Sequence, residues 1–388
     1  MDASIIAADS LNGEEAYISS LQESGLHRTP NELLKKDAIN TTAIGGNLSL
    51  RLSRFKIGLT SYYSKLGRNL NPDTKPYNQF RFRGAENLNT GIDYSFLIKG
   101  VSFFGEMAIS QNGGFAQIHG LTAFLHPRLT LTLLYRNYQK EYQNFFSNAF
   151  AEGNENANEK GFYTGLRFSV FRKWILTGYL DVFSFPWLKY STDAPSNGYE
   201  FLVQIENNVS DKLFLHFRFL QQNKQINSAY SEGMISQLTN TRKNNFRFFI
   251  EYGVSPSIVL KNRLEYIFYL KGSDYKGNGY LVYQDVLWRP PAGKFSVVFR
   301  YALFDTDSYD ERLFAYENDV LYAFTIPAYY YKGSRSFLLV QYKMSTKLQF
   351  WFRIGHTFTG NQQTIGTGLD EIDGNTKTEI KLQMRLRL

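Results

Sequence analysis

The chain of 388 residues contains no cysteine, which excludes a disulfide framework, a thiolate metal site and a cysteine nucleophile. It also lacks any stretch of about 18 consecutive apolar residues, the length that a membrane-spanning helix needs. The start, MDASIIAADSLNGEEAYISS, lacks the basic segment and the continuous apolar segment of a secretory signal peptide. The chain is therefore either not exported, or a fragment or mature form of an exported protein.

Recognisable catalytic motifs are absent as well. Neither GxSxG nor SxxK occurs, and the histidines are far apart in sequence without an HExxH pattern. Scattered histidines of this kind are expected to be structural, and they are His27, His119, His126, His216 and His356. We predict that the chain is not an enzyme and that it carries no cofactor.

Aromatic residues are abundant, at 16% of the chain, and they fall in short segments in which apolar and polar residues alternate. From 376 to 388 the even positions are Thr, Thr, Ile, Leu, Met, Leu and Leu, and the odd positions are Lys, Glu, Lys, Gln, Arg and Arg. A period of two predicts a β-strand with one apolar and one polar face. Strands of a membrane barrel have this pattern, because only every second side chain contacts lipid.

These segments come in pairs that are joined by short turns and separated by long polar connections. Short turns are predicted at 53–54, 99–100, 126–128, 172–173, 210–211, 255–257, 290–293 and 345–347. Long connections cover roughly 66–87, 141–159, 185–198, 223–243, 305–335 and 359–375. Bacterial outer-membrane barrels segregate their connections in this way, with the short turns in the periplasm. We predict an all-β, transmembrane, antiparallel and porin-like barrel for 41–388, with about 16–18 strands, in the bacterial outer membrane.

The direction of the strands adds an expectation about their number. If the short turns are periplasmic, the first strand near 42–52 and the last near 376–388 both run downward, which gives about 17 strands. That count requires 313–333 to be an inserted loop that folds over or into the lumen rather than a strand. Bacterial single-chain barrels usually have even strand counts, so we expect a barrel that is truncated at its N-terminus, with a further strand before Met1.

Residues 1–40 are interpreted as an outer-loop segment with one short helix. In LHRTPNELLKKD, Thr29 is placed as the N-cap, Pro30 at the first helical position, and Glu32 as the partner in a capping box.

Charged residues occupy the strand positions opposite the predicted lipid face. The basic residues expected to face the lumen are Arg51, Arg136, Arg167, Arg218, Arg247, Arg263, Arg300, Arg353, Arg385 and Arg387, and the acidic ones are Asp93, Glu106, Asp181, Glu206, Glu251, Glu265 and Asp285. Opposite charges on neighbouring strands can form a salt-bridged ladder that stiffens the wall, which is the favoured interpretation because the two sets nearly balance. The alternative is a basic pore that prefers anions.

The loop TIGTGLDEIDGN offers a candidate calcium site, because its carboxylate and amide oxygens are suitable ligands. The candidate ligands are Asp370, Glu371, Asp373 and Asn375. Their spacing differs from that of an EF-hand, and a solvated loop without metal is the favoured interpretation.

Several stretches resemble the C-terminal region of a family of large Bacteroidetes envelope proteins, the helix-hairpin-helix domain-containing proteins. They are GLHRTPNELLKKDAI (25–39), PYNQFRFRG (76–84), NFFSNAFAEGNENANEKGFYTGL (144–166), FPWLKYSTDAPSNGYEFL (185–202), YENDVLYAFTIPAYYYKG (316–333) and IGTGLDEIDGNTKTEIKLQMRL (365–386). The resemblance implies an outer-membrane barrel behind an upstream module that grips DNA. No glycine-containing helical hairpin of that kind occurs in this chain.

The leading hypothesis is therefore an outer-membrane barrel that acts as a pore or membrane anchor in envelope transport, including DNA uptake, as part of a helix-hairpin-helix protein. A passive channel for small anionic solutes and an outer-membrane hydrolase are the alternatives. The expected partners are outer-membrane lipid, the barrel assembly machinery, and DNA through a module outside this chain.

Overall fold

The computed structural model describes residues 1–6, 16–22, 25–228, 236–273, 275–360, 362–368 and 371–387. They form two compact units. The first consists of Met1–Leu166, Tyr179–Tyr199 and Lys224–Asn240, and the second of Arg167–Gly178, Glu200–Asn223 and Thr241–Leu388. Within the described ranges, no helix has both the length and the apolar character needed to cross a membrane.

Seventeen strands of 10 to 18 residues account for most of the described chain. Their number lies within the predicted range of about 16–18 strands. They are β3 (Thr41–Leu52), β4 (Phe55–Leu70), β5 (Gly84–Ile98), β6 (Val101–Ser110), β7 (Phe115–His126), β8 (Leu129–Tyr138), β9 (Glu159–Phe171), β10 (Trp174–Phe185), β11 (Ser196–Ser210), β12 (Leu213–Asn227), β13 (Leu238–Ser255), β14 (Ile258–Lys271), β15 (Tyr275–Trp288), β16 (Phe295–Thr306), β19 (Gly333–Lys343), β20 (Leu348–Thr359) and β23 (Thr376–Leu386). The short strands are β1 (Asp2–Ile6), β2 (Tyr17–Gln22), β17 (Leu313–Phe314), β18 (Ala328–Tyr329), β21 (Thr364–Ile365) and β22 (Ile372–Asp373). One helix, α1 (Pro30–Lys35), and two 3-10 turns, Pro76–Asn78 and Tyr309–Glu311, complete the elements of the described residues.

The predicted turns and helix start are confirmed in their local geometry. Lys99 and Gly100 have φ values of 44° and 81°, the left-handed pair that a two-residue hairpin turn requires. Thr29 Oγ1 accepts a hydrogen bond from the Glu32 amide at 3.2 Å, and the Glu32 carboxylate accepts one from the Thr29 amide. The strands extend further into the predicted long connections than expected, since β4 continues to Leu70 and β5 begins at Gly84.

In the first unit, β3 to β8 form an antiparallel meander in which each strand pairs with the next. The strands β1 and β2 pair with each other, and β2 meets the end of β4 through the parallel pair Ile18 and Leu70. Ala3, Ile18, Ile39 and Leu66 bury one another beside this junction. The strands β1 and β2 were not predicted, because segments of five and six residues show too little alternation.

In the second unit, β13 to β16 form an antiparallel meander, and β16 then pairs with β19, which is followed by β20 and β23. Residues 307–332 lie between β16 and β19 and add only the two-residue strands β17 and β18, which pair with each other. This segment is therefore an insertion and not a strand of the main sheet. The count of about 17 strands, which was predicted from strand direction, required such an insertion.

The two faces of the second unit differ in chemistry. On β15, Tyr280, Val282, Val286 and Trp288 are 37–43% exposed, and the polar Gln284 in the same phase is also exposed, whereas the odd-numbered positions 281–287 are buried. The same alternation continues along β16, where Phe299 and Leu303 are exposed. A row of exposed apolar side chains that extends over neighbouring strands is the surface that a membrane barrel presents to lipid. We call the opposite face of these strands the inner face.

Candidate functional site

Residues 307–332 lie against the inner face of the second unit, and we call them the inner-face loop. Its residues Leu313, Ala315 and Tyr329 are buried in one apolar cluster with side chains of β14, β15 and β16. Further along, Val320 and Leu321 pack against a second cluster that contains Phe337 and Trp351. These two sets of apolar contacts fix the loop on the sheet and bring its polar groups next to the charged residues of the strands.

The loop begins with a 3-10 turn that is locked by its own side chains. Ser308 caps the turn, with its hydroxyl accepting from the Asp310 amide at 3.1 Å and the Glu311 carboxylate accepting from the Ser308 amide at 2.8 Å. Glu311 is fully buried against β15, where Gly277 leaves room for its carboxylate. A side chain at position 277 would collide with that carboxylate.

Glu317 is the central acidic group of the loop. Its carboxylate is fully buried and accepts hydrogen bonds from Arg335 Nε at 2.7 Å and Arg335 Nη2 at 2.9 Å. It also pairs with Arg353 and accepts a hydrogen bond from the Tyr329 hydroxyl at 2.8 Å. Arg353 in turn donates to the backbone carbonyl of Asn318 at 3.2 Å. One loop carboxylate thus forms ion pairs with arginines from two strands.

Asp319 makes a second ionic attachment. Its buried carboxylate pairs with Lys381 on β23 and accepts hydrogen bonds from the Thr325 hydroxyl and, at 2.7 Å, from the Val320 amide. Burial alone would raise the pKa of Asp319, but Lys381, these two hydrogen bonds and the charge of Arg353 together lower it below the usual value. Asp319 is therefore held as a carboxylate that ties the loop to β23.

Arginines of β14 and β16 bind the loop backbone. Arg300 forms a two-pronged ion pair with Asp285 at 2.5 and 2.7 Å and donates to the carbonyl of Tyr316 at 2.8 Å. Arg263 pairs with Glu265 and donates to the carbonyl of Phe314 at 2.9 Å. The charged ladder of the strands therefore also serves as the set of donors that positions the loop.

The predicted lumen arginines have different environments. In the second unit, Arg263, Arg300 and Arg353 are brought together beneath the loop. Arg247 pairs with Glu265 at 3.0 Å, and Arg385 donates to Gln349 at 2.7 Å with its guanidinium above the Trp351 ring. Of the remaining members in both units, Arg218 is partly buried, while Arg51, Arg167 and Arg387 are exposed.

Arg136 forms a separate buried cluster in the first unit. It donates to Glu159 at 2.5 Å and to both oxygens of Asp181 at 2.7 and 3.0 Å, and both Arg136 and Glu159 are fully buried. Glu159 also accepts hydrogen bonds from the amides of Glu152 and Gly153. This cluster fastens the connection between β8 and β9.

Sequence reasoning missed Glu317, Asp319 and Arg335 as members of the site, whereas it placed Lys381 on the polar face of the last strand. Arg335 is the third residue of β19 and lies in the same strand phase as the buried Phe337, and this alternation could have identified it. The two acids lie in a loop, where no periodicity shows which way a side chain points.

The calcium prediction stays a prediction. Asp370 lies outside the described residues, and Glu371 and Asp373 are exposed beside the small hairpin of β21 and β22. No group of three His, Cys, Asp or Glu residues suited to a metal ion occurs among the residues that the structure describes.

No family model and no curated protein matches the chain. Among solved structures, FpvA of Pseudomonas aeruginosa bound to heterologous pyoverdines is similar, with a TM-score of 0.51 and 10% identity over 89% of this chain and 56% of that chain. The ferripyoverdine receptor of the outer membrane of the same organism gives a TM-score of 0.46 at 11% identity, over 89% of this chain and 56% of that chain. The anion-selective porin from Comamonas acidovorans gives 0.39 at 13% identity, over 90% and 99%. The chain thus spans about 56% of the length of the FpvA structure.

The similarity to FpvA establishes the fold, which is that of the bacterial outer-membrane β-barrels. The exposed apolar face described above is the surface that such a fold presents to lipid. The predicted fold class and the predicted location in the bacterial outer membrane are both confirmed.

Proposed function

We propose that the protein is an outer-membrane transport pore in which the inner-face loop narrows the passage. The observation that carries this proposal is the buried attachment of Glu317 to Arg335 and Arg353, which holds a long insertion on the inner face instead of outside the membrane. Three layers of contact support the same role for the loop, namely apolar packing, backbone hydrogen bonds and ion pairs. A loop of this kind reduces the open cross-section of a barrel without closing it.

The charge of the site favours narrowing over strong ion selection. The ion-paired cations beneath the loop are Arg263, Arg300, Arg335, Arg353 and Lys381, and they are matched in number by Glu265, Asp285, Glu317, Asp319 and Glu379. Because each cation contacts an acid, little net field remains at this level of the passage. The basic residues predicted from the sequence therefore act here mainly as a ladder and as loop anchors.

The proposal is tested by conductance of the refolded protein in planar bilayers. Replacing 312–331 with a short Gly-Ser linker is expected to increase single-channel conductance several-fold, because the insertion no longer occupies the passage. The double change Glu317→Gln and Asp319→Asn is expected to give noisier and larger openings, whereas the exposed-pair variant Glu155→Gln is expected to behave like the wild type. A barrel that stays silent in all four forms rejects the pore.

The finer hypothesis of DNA uptake, with this barrel as the pore or anchor of a helix-hairpin-helix protein, rests on the resemblance of the sequence. It predicts salt-dependent DNA binding by a longer protein that carries the upstream module. Loss of binding when that module is removed would assign DNA contact to the module and membrane anchoring to this chain. Outer-membrane lipid and the barrel assembly machinery are the partners proposed for the barrel itself.

Two alternatives are separated by direct assays. A passive channel for small anions predicts a reversal potential shifted towards that of chloride in a salt gradient. An outer-membrane hydrolase predicts activity in a broad esterase and protease screen of the refolded protein, and a positive screen would overturn our proposal that the protein is not an enzyme.

A further inference from the structure

A basic residue lies at or next to the turn end of three strands of the second unit, on the inner face. Arg289 follows β15 in the phase of the buried Leu287. Lys294 precedes β16 in the phase of Ser296 and the buried Val298, and Lys343 ends β19 in the phase of the buried Leu339. The alternation that buries the middle of each strand thus directs all three cations to the same face.

The pairing of β16 with β19 places two of these cations opposite each other. Phe295 pairs with Tyr342, and at the next position the Lys343 amide donates to the Lys294 carbonyl at 2.7 Å. Like charges that face each other across neighbouring strands destabilise a sheet. Within the described ranges, no carboxylate lies within 4.0 Å of the charged group of Arg289, Lys294 or Lys343. Such an arrangement is stabilised when an anion lies between the cations.

A cavity of about 410 Å³ lies beside these side chains, beneath the inner-face loop. Besides the three cations, it is lined by polar groups of Ser296, Gln341 and Asn318. Asp319 also lines it, but that carboxylate is already engaged by Lys381 and Thr325. The volume falls in the range of small-molecule sites, which is about 300–1,000 Å³. The free donors of the cavity are cationic or amide groups, and these favour an anionic ligand.

We propose that this cavity binds a small phosphate-bearing solute, with Arg289, Lys294 and Lys343 holding the phosphate. A guanidinium and two ammonium groups together supply the donors and the charge that a phosphate dianion needs. The cations lie on the inner face, away from the lipid-facing side chains, so a soluble phosphate compound is the ligand and not a lipid headgroup. The inference rests on the proposed function in one respect: the site lies on a transport route only if the barrel is a pore.

The test measures binding of inorganic phosphate and of pyrophosphate by isothermal titration calorimetry. The folded full chain is used in a phosphate-free detergent solution. The triple variant Arg289→Gln, Lys294→Gln, Lys343→Gln is expected to weaken binding at least tenfold. The matched control removes three exposed turn cations of the first unit, through Arg54→Gln, Lys99→Gln and Arg128→Gln, and should leave binding unchanged. Equal binding by the two triple variants would overturn the proposal.

A charge reversal gives an independent test that does not depend on a destabilised protein. Lys343→Glu should raise the unfolding midpoint, because a repulsive cross-strand pair becomes an attractive one, and should abolish phosphate binding. Binding that survives this change contradicts the site. If anionic lipid in nanodiscs competes with phosphate, the ligand is a headgroup and the proposal of a soluble solute is wrong. A silent barrel that still binds phosphate rejects the pore alone, whereas a conducting barrel without binding rejects this site alone.

Discussion

At the scale of single residues, Glu317 carries most of the attachment of the inner-face loop. Its carboxylate contacts Arg335, Arg353 and Tyr329, and neither Glu317 nor Arg353 has any solvent exposure. Replacing a buried ion-pair partner leaves an uncompensated charge, which costs about 3–5 kcal/mol. The intact ion pair itself contributes little net stability, because both groups lose their hydration on burial. Its main effect is to fix the position of the loop.

We expect Glu317→Gln to lower the free energy of unfolding by about 3–5 kcal/mol. Arg335 and Arg353 lose the buried carboxylate that they share, and only Glu379 at 3.0 Å from Arg335 and Asp319 at 3.7 Å from Arg353 remain. Urea unfolding of the protein in lipid vesicles measures this change. The matched control is Glu155→Gln, which removes an exposed partner of Arg81 and should change stability by less than about 1 kcal/mol. Similar effects of the two variants would contradict the central role of Glu317.

Acid should release the loop through Asp319. The native pKa of Asp319 lies below the usual 3.8, with burial opposing the shift and Lys381 and Thr325 producing it. The carboxylate therefore contributes its full stabilisation above about pH 3.8, and the contribution is lost as pH falls through the lower native pKa. Fluorescence of Trp351, measured with the other tryptophans replaced by Phe, should report this transition. Asp319→Asn should abolish the change in that pH range, and an identical titration in the variant would refute the assignment.

At the scale of elements, the loop and β15 are fitted to each other. The turn Tyr309–Glu311 lies over Gly277, and a Cβ there would collide with the Glu311 carboxylate. Gly46 on β3 is a suitable comparison, because nothing lies within 4 Å of the position that its Cβ would take. The room left by a glycine thus sets where the insertion starts.

Gly277→Ala is expected to destabilise the protein by about 1–3 kcal/mol, the usual cost of overpacking, and to loosen the start of the loop. Gly46→Ala should be neutral or slightly stabilising, since the methyl group meets no neighbour. Chemical unfolding measures stability, and protease cleavage near Arg312 measures loosening. Equal cleavage in both variants would show that the turn does not depend on Gly277.

At the scale of the whole molecule, the exposed apolar faces of the strands require lipid or detergent. Leu264, near the middle of β14, is 51% exposed, and Val254, near the turn end of β13, is 46% exposed. A charged substitution on the lipid face costs about 2–4 kcal/mol at the bilayer midplane and about 0–1 kcal/mol near the interface. The two positions have similar exposure, but their places along the strands put Leu264 near the bilayer midplane and Val254 near the interface.

Leu264→Arg should lower stability in vesicles by about 2–4 kcal/mol, whereas Val254→Arg should cost no more than about 1 kcal/mol. Urea titration of protein folded into vesicles gives both values. If the two variants are equally stable, the apolar face does not cross the bilayer at the depth that the strand pattern indicates.

The sequence by itself determined the seventeen long strands apart from their exact ends, the short turns, the capped helix and the polarity of the two faces. A period of two, a left-handed pair such as Lys99 and Gly100, and a capping box are local features that each segment carries alone. It also indicated, through strand direction, that 313–333 is an insertion. Only the tertiary structure decided where that insertion lies, and which partners Glu317 and Asp319 have. Those contacts join residues as much as 62 positions apart, and no periodicity in a loop encodes them.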